Sequence, residues 1–147
     1  KDVVDMRSLM LREHHPKSAW DIKRVRGGLV ELEFIAQFLQ LLHAHGKPEI
    51  LRTNTFSAFE ALQEASILAP EEAARLLDAA RLYHRLTQVL RLCLDQTFEP
   101  DKALPGLNLA IAAAAQVPDV RIAEDVLCEK EAGIAALFDR LVGPPEP

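Results

Sequence analysis

Pro70-Glu71-Glu72 opens the stretch that most narrows what this chain can fold into. Proline suits the first turn of a helix, where its missing N–H would go unpaired anyway, and acids there favour the helix dipole. From that start to about Asp95, Leu76, Ala79, Tyr83, Leu86, Leu90 and Leu94 recur at helical spacing, while Asp78, Arg81, Arg85 and Gln88 form the opposite stripe. The spacing predicts one long helix with a single apolar face, which must be buried against other elements.

The rest of the chain repeats this pattern in shorter pieces. Asp2 to about His15 carries Val3, Met6, Met10 and Leu11 at helical spacing, and His14-His15-Pro16 ends the run because the residue before a proline avoids the helical region. Lys17 to Lys23, with the single tryptophan Trp20, reads as a short strand or an irregular linker. A central helix from about Gly28 to Ala44 stops at His45-Gly46-Lys47-Pro48, and Pro48 to Leu51 makes one turn. Asn54 or Thr55 caps a helix through about Ala65, with Phe56, Phe59 and Leu62 inward. A polar loop from Thr97 to Leu104 leads to an alanine-rich helix over Pro105 to Gln116. Pro118-Asp119 starts a last helix, with Ile122, Val126, Ile134, Leu137, Phe138 and Leu141 inward, that stops at Gly143-Pro144-Pro145. No β-alternation persists, no repeat recurs at a fixed period, and no low-complexity linker divides the chain. The expectation is an all-α fold, an antiparallel bundle of about six helices forming one domain over 1–147.

Composition agrees. Residues of hydrophobic type make up 49% and aromatics only 5%, which suits helices better than a sheet. The net charge of -5 argues against broad nucleic-acid binding. No transmembrane run, signal peptide or lipidation motif is found, and Cys93 and Cys128 read as reduced core residues, so the expected compartment is the cytoplasm. The chain begins at Lys1 inside a helical pattern and reads as a piece of something longer.

One stretch invites function: Lys23-Arg24-Val25-Arg26-Gly27-Gly28, leading into Leu29-Val30-Glu31-Leu32-Glu33. A double glycine at a helix start allows a sharp turn and leaves the first helical N–H groups open to an anion, with three cations just before it. At about 100° per residue, Glu33, Gln37 and Gln40 form one polar stripe, and Glu31 lies roughly 160° from Glu33, beside Phe34, Ile35, Phe38 and Leu42. The two glutamates therefore cannot serve as an acid–base pair or share a metal. Glu33 reads as solvated; Glu31 reads as capping its own helix, pairing with Arg24 or Arg26, or orienting one of those cations.

Other chemistry is missing. His43 and His45 face apart on a helix, no Cys/His ligand spacing occurs, and no nucleophile elbow or P-loop is present. There is no Asp-x-Asp for two-metal nucleotidyl transfer, so no catalytic or metal residue is assigned and the chain alone is expected to be inactive.

The run Asp21-Ile22-Lys23, then Gly27-Gly28-Leu29-Val30-Glu31-Leu32-Glu33-Phe34-Ile35-Ala36-Gln37, resembles the Gly-Gly-x-x-Asp-[Ile/Leu]-Glu-Phe-[Ile/Leu]-x-Gln signature of bacterial glutamine synthetase adenylyltransferases. Glu31 stands where that signature has Asp. The Asn54-Thr55 helix start, the Ala80 to Arg91 stretch around Tyr83 and Arg85, and the closing Ala136-Leu137-Phe138-Asp139-Arg140-Leu141-Val142-Gly143 are similar to the same family, and point to its C-terminal, adenylylating half. Related uridylyltransferases share the start of the signature and diverge after it.

The resemblance implies a nucleotidyltransferase-associated helical domain packed against an upstream catalytic domain of the same chain, in an enzyme that moves AMP from ATP to a tyrosine of glutamine synthetase. ATP and magnesium are the parent's, with none expected on this fragment alone; glutamine synthetase and a PII-type signalling protein are the implied partners, and nucleic acid and membrane are not. Lys23, Arg24 and Arg26, with Gly27 and Gly28, would face ATP phosphates or an acidic region of glutamine synthetase, and Glu31 would orient a cation. The alternative is a pure interaction bundle that docks glutamine synthetase or the PII-type regulator and contributes no group to the active site.

Overall fold

A computed structural model describes residues 2–93 and 96–146. It contains six α-helices: α1 (Asp2–Glu13), α2 (Leu29–His43), α3 (Thr55–Glu64), α4 (Pro70–Leu90), α5 (Pro105–Ala115) and α6 (Val120–Leu141). Short 3-10 turns span Pro48–Ile50 and Arg91–Cys93, and no strand occurs among the described residues. The all-α bundle is as expected, and Lys1, Leu94 and Asp95 lie outside the described residues.

Local chemistry starts the helices where the sequence placed them. Asn54 Oδ1 accepts the Ser57 N–H at 2.8 Å to begin α3, and Asp119 Oδ1 accepts the Ile122 N–H at 3.0 Å to begin α6. Pro70 opens α4, and Glu72 reaches back to accept the Ala69 N–H at 2.9 Å. Arg140 near the end of α6 pairs with the same carboxylate, tying the start of α4 to the far end of the last helix. The Ala69 N–H holds the Glu72 carboxyl below the usual range; burial opposes this and Arg140 supports it. Gln116 ends α5 in the left-handed region, φ 61°, with its N–H on Ala112 and Ala113 carbonyls.

α4 is the centre of the bundle, lying against α2, α3, α5 and α6. It buries Ala73, Leu76, Leu77, Ala79, Ala80, Leu82, Tyr83 and Leu86, a wider face than a single stripe because neighbours flank it. The core is completed from α2, α3, α5 and α6, with Trp20, Ile22, Ile50, Leu68 and Phe98 from the connections.

Several expected faces are turned. In α1 the buried residues are Arg7, Ser8 and Leu11, whereas Met6 is exposed, because α1 docks on a polar loop rather than on the core. In α6 the inner series is Ala123, Leu127, Glu131, Ile134, Leu137 and Phe138, which leaves Ile122 at its exposed flank. Leu42 is exposed and Gln40 is buried, where its side chain donates to the Ala36 carbonyl and accepts the Arg52 N–H. Cys128 is exposed and Cys93 half-buried, so neither belongs to the fully buried core. The Trp20 segment forms turns; its Nε1 donates to Glu124 at 2.6 Å and its ring meets Phe98 edge-on at 4.8 Å. Among the described residues no helix is long and apolar enough to cross a membrane.

Candidate functional site

The chain from Asp21 to Gly28 folds as successive turns. The N–H groups of Arg24 and Val25 both reach the Asp21 carbonyl, at 3.1 and 3.0 Å. Those of Gly28, Leu29 and Val30 go to the carbonyls of Val25, Ile22 and Lys23 at 2.9, 2.8 and 3.1 Å. The amides at the head of α2, which the sequence left open to an anion, are thus engaged within the turn itself.

The double glycine is required by close approach. Gly27 has φ +76°, and a Cβ on it would lie 1.6 Å from the Glu131 carbonyl oxygen of α6; one on Gly28 would lie 2.0 Å from the Ile22 carbonyl oxygen. The loop is therefore pressed onto α6 by backbone contact. Tyr83 of α4 donates its hydroxyl to the Gly27 carbonyl at 2.6 Å, fixing the loop from a second helix.

Glu31 is fully buried below this turn. Its Oε1 accepts the Gly27 N–H at 3.0 Å, and its Oε2 accepts from Arg26 Nε at 2.9 Å and from Arg7 Nε at 2.7 Å. Arg7 also donates to the carbonyls of Arg24 at 2.7 Å and Val25 at 3.2 Å. Arg26 continues to Asp139 of α6 at 2.5 Å. Burial works against the charge on Arg26, but the hydrogen bonds and charges of Glu31 and then Asp139 outweigh it and raise its pKa. One carboxylate thus gathers two guanidiniums and a backbone N–H, a geometry in which a buried charge is compensated.

Glu131 lies beside this network without joining it. Burial, and then the charge of Asp21, push its carboxyl up to about 9, so it is protonated at neutral pH, and among the described residues its Oε2 has no hydrogen-bond partner. Burial, followed by Glu131 and Glu31, also raises the Tyr83 hydroxyl.

Of the residues singled out from sequence, Arg26, Gly27, Gly28 and Glu31 come together in one lock, in which the glycines and Glu31 are buried and Arg26 is half-buried. Lys23 and Arg24 point outward, and among the described residues neither side chain has an ion-pair partner. Arg24 borders a cleft of about 450 Å³ that His14, His15, Lys17, Trp20 and Asp21 also line. Arg7 was missed by sequence reasoning; its signal is an arginine four residues before Leu11 on the inner side of α1, with a buried glutamate wanting a cation.

The donor set does not suit magnesium: Glu31 and Asp139 are each held by arginine, and no three His, Cys, Asp or Glu side chains converge among the described residues. What the arrangement does chemically is hold two cations on a rigid, doubly anchored turn.

The model of the GlnD PII-uridylyltransferase family matches residues 5–102. The bifunctional glutamine synthetase adenylyltransferase/adenylyl-removing enzyme of Rhodopseudomonas palustris (strain TIE-1) is 41% identical over 142 residues, which is 97% of this chain and 14% of that enzyme. Enzymes of the same description from Bradyrhizobium diazoefficiens and Xanthobacter autotrophicus are 39% and 37% identical over 141 residues, 96% of the chain and 14% of each relative. The chain thus spans 14% of the length of the curated relatives it matches. No solved structure gives a significant match. The chain belongs to the GlnD PII-uridylyltransferase family, and its relatives there are glutamine synthetase adenylyltransferase/adenylyl-removing enzymes.

Proposed function

We propose that this bundle is the helical domain of the adenylylating half of an enzyme that transfers AMP from ATP to a tyrosine of glutamine synthetase, and whose other half removes it. The domain packs against an upstream nucleotidyltransferase domain that supplies the catalytic aspartates and magnesium, so the bundle alone has no transferase activity. Its compartment is the cytoplasm, and a PII-type protein and glutamine regulate the parent. The observation that carries this reading is the outward placement of Lys23 and Arg24 on a turn locked by Arg26, Gly27, Gly28 and Glu31. Cations held on a rigid turn lose little freedom when they meet an anion, which is what a phosphate-facing or acid-facing wall of a cleft requires. Lys23 and Arg24 contact ATP phosphates or an acidic region of glutamine synthetase; Arg26, Gly27, Gly28 and Glu31 set their position.

The test is the Lys23→Ala/Arg24→Ala double variant in the full-length enzyme. The apparent KM for ATP or for glutamine synthetase rises by about tenfold, equivalent to ~1.4 kcal/mol, with the thermal midpoint unchanged. Wild-type kinetics would overturn the assignment.

A second reading, a docking bundle with no group in the cleft, is favoured by exposed leucines. Leu41, Leu42 and Leu51 are 75%, 59% and 51% exposed around the C-terminal end of α2. Titration calorimetry of the bundle with glutamine synthetase, and separately with ATP and magnesium, separates the readings: binding of the protein alone favours docking.

A further inference from the structure

α1 joins the bundle differently from the other five helices. Among the described residues no α1 side chain belongs to the core cluster of buried residues, and of the other helices α1 lies against α2 alone. Two of its three buried residues, Arg7 and Ser8, are polar. Ser8 Oγ accepts the Glu146 N–H at 2.9 Å, so the tail beyond α6 fixes one side of α1. Arg7, 1% exposed, fixes the other.

The Arg7 guanidinium does two separable things. Its Nε neutralises Glu31, and its second nitrogen holds the carbonyls of Arg24 and Val25, in the middle of the basic loop. Glu31 does not depend on Arg7 alone, because Arg26 and the Gly27 N–H remain on the carboxylate without it. The Arg24 carbonyl is different: among the described residues Arg7 is its only donor. A planar guanidinium can satisfy a carboxylate and two carbonyls at once, whereas a lysine ammonium is a point donor on a flexible stem.

We propose that Arg7 is a positioning residue: through it, α1 fixes the direction in which Lys23 and Arg24 leave the bundle. This rests on the reading that those two cations meet an anionic group of a substrate. Arg7 itself touches no substrate; it acts on the backbone that carries the residues that do.

The experiment uses the full-length enzyme and the pair R7M/E31Q, which removes the guanidinium and the charge it neutralises together, so that no buried ion is left unpaired. E31Q keeps an acceptor for Arg26 and for the Gly27 N–H. Beside it stand R7K and K23A/R24A. The expected result is a five- to tenfold rise in the apparent KM for whichever substrate K23A/R24A affects, in both R7M/E31Q and R7K, with kcat near wild type, as loss of uniform binding requires. Hydrogen exchange of the amides over 23–26 speeds up in R7M/E31Q while the α4 amides keep their protection. If R7M/E31Q shows wild-type KM and wild-type exchange while K23A/R24A still raises KM, Arg7 merely neutralises Glu31 and the inference falls alone. A wild-type KM in R7K overturns it too, since charge without the fork would then suffice. Wild-type KM in K23A/R24A as well removes the reading of the loop on which it rests.

Discussion

At the scale of single residues, two positions where the loop meets α6, Gly27 and Glu131, each carry a measurable consequence. Gly27 combines a left-handed φ of +76° with a carbonyl oxygen 1.6 Å from where a Cβ would sit, and that oxygen belongs to helical backbone that cannot give way. G27A therefore has to lift the loop from α6, breaking the Tyr83 hydroxyl bond and the Glu31 contact to the Gly27 N–H. A loss of about 3 kcal/mol or more in unfolding free energy is expected, against about 0.5 kcal/mol for G46A, whose Cβ meets nothing within 4 Å. Glu131 sets a pH dependence. Its folded pKa of about 9 lies above the 4.5 of the free group, so the folded state binds the extra proton between those values. The stabilisation is complete below 4.5, declines as pH rises, and is gone above about 9. E131Q removes this slope: the midpoint of the variant gains on the wild type between pH 5 and pH 9, by at most ~1.4 kcal/mol for each pH unit. Parallel midpoints at pH 5, 7 and 9 would refute it.

At the scale of elements, caps and faces separate what is local from what is not. Asn54, Pro70 and Asp119 were readable from sequence as helix starts because a cap is made within three or four residues of itself. Faces were less readable. Pattern reading sends a charge to water by default, so it passed over Glu131 on the inner side of α6 and Arg7 on the inner side of α1, and turned both helices to put Ile122 and Met6 inward. Glu31 was placed on the core side, capping its own helix or pairing with Arg24 or Arg26; the structure pairs it with Arg26 and not Arg24, and its second partner, Arg7, comes from 24 positions away, which no local spacing reports. The open amides at the head of α2 failed for the same reason in reverse, since carbonyls of the preceding turn had already taken them. The junction of α4 and α6 offers a test at this scale. Glu72 accepts the Ala69 N–H and pairs with Arg140, so E72Q keeps an acceptor but loses the charge, and E72A loses both. E72A is expected to cost about 1 kcal/mol and E72Q less, by thermal unfolding at pH 7. Because the Glu72 pKa is lowered by folding, this contribution is present above the ordinary carboxylate range and fades as pH falls toward acid, so the gap between wild type and E72A narrows there.

At the scale of the whole molecule, α2 separates two candidate surfaces. The basic loop sits at its N-terminal end and the exposed leucines Leu41, Leu42 and Leu51 at its C-terminal end, where the Arg52 N–H on Gln40 draws the following segment alongside. A helix of 15 residues is about 22 Å long, beyond the range at which side chains share partners and beyond the Debye length at physiological salt. The two surfaces therefore act independently if both touch substrates. L41E/L51E places charge on the apolar end without altering buried residues, because both leucines are more than half exposed. On the docking reading, the full-length enzyme carrying it shows an apparent KM for glutamine synthetase raised at least fivefold and that for ATP at the wild-type value, whereas K23A/R24A retains wild-type stability. Combining the two sets then multiplies their effects on glutamine synthetase if the basic loop also faces that protein, and leaves two separate defects, one per substrate, if the loop faces ATP. An effect in the combined variant smaller than the larger single one would mean the two ends of α2 are coupled through the helix, and the picture of a rigid bundle carrying two independent surfaces would have to be abandoned.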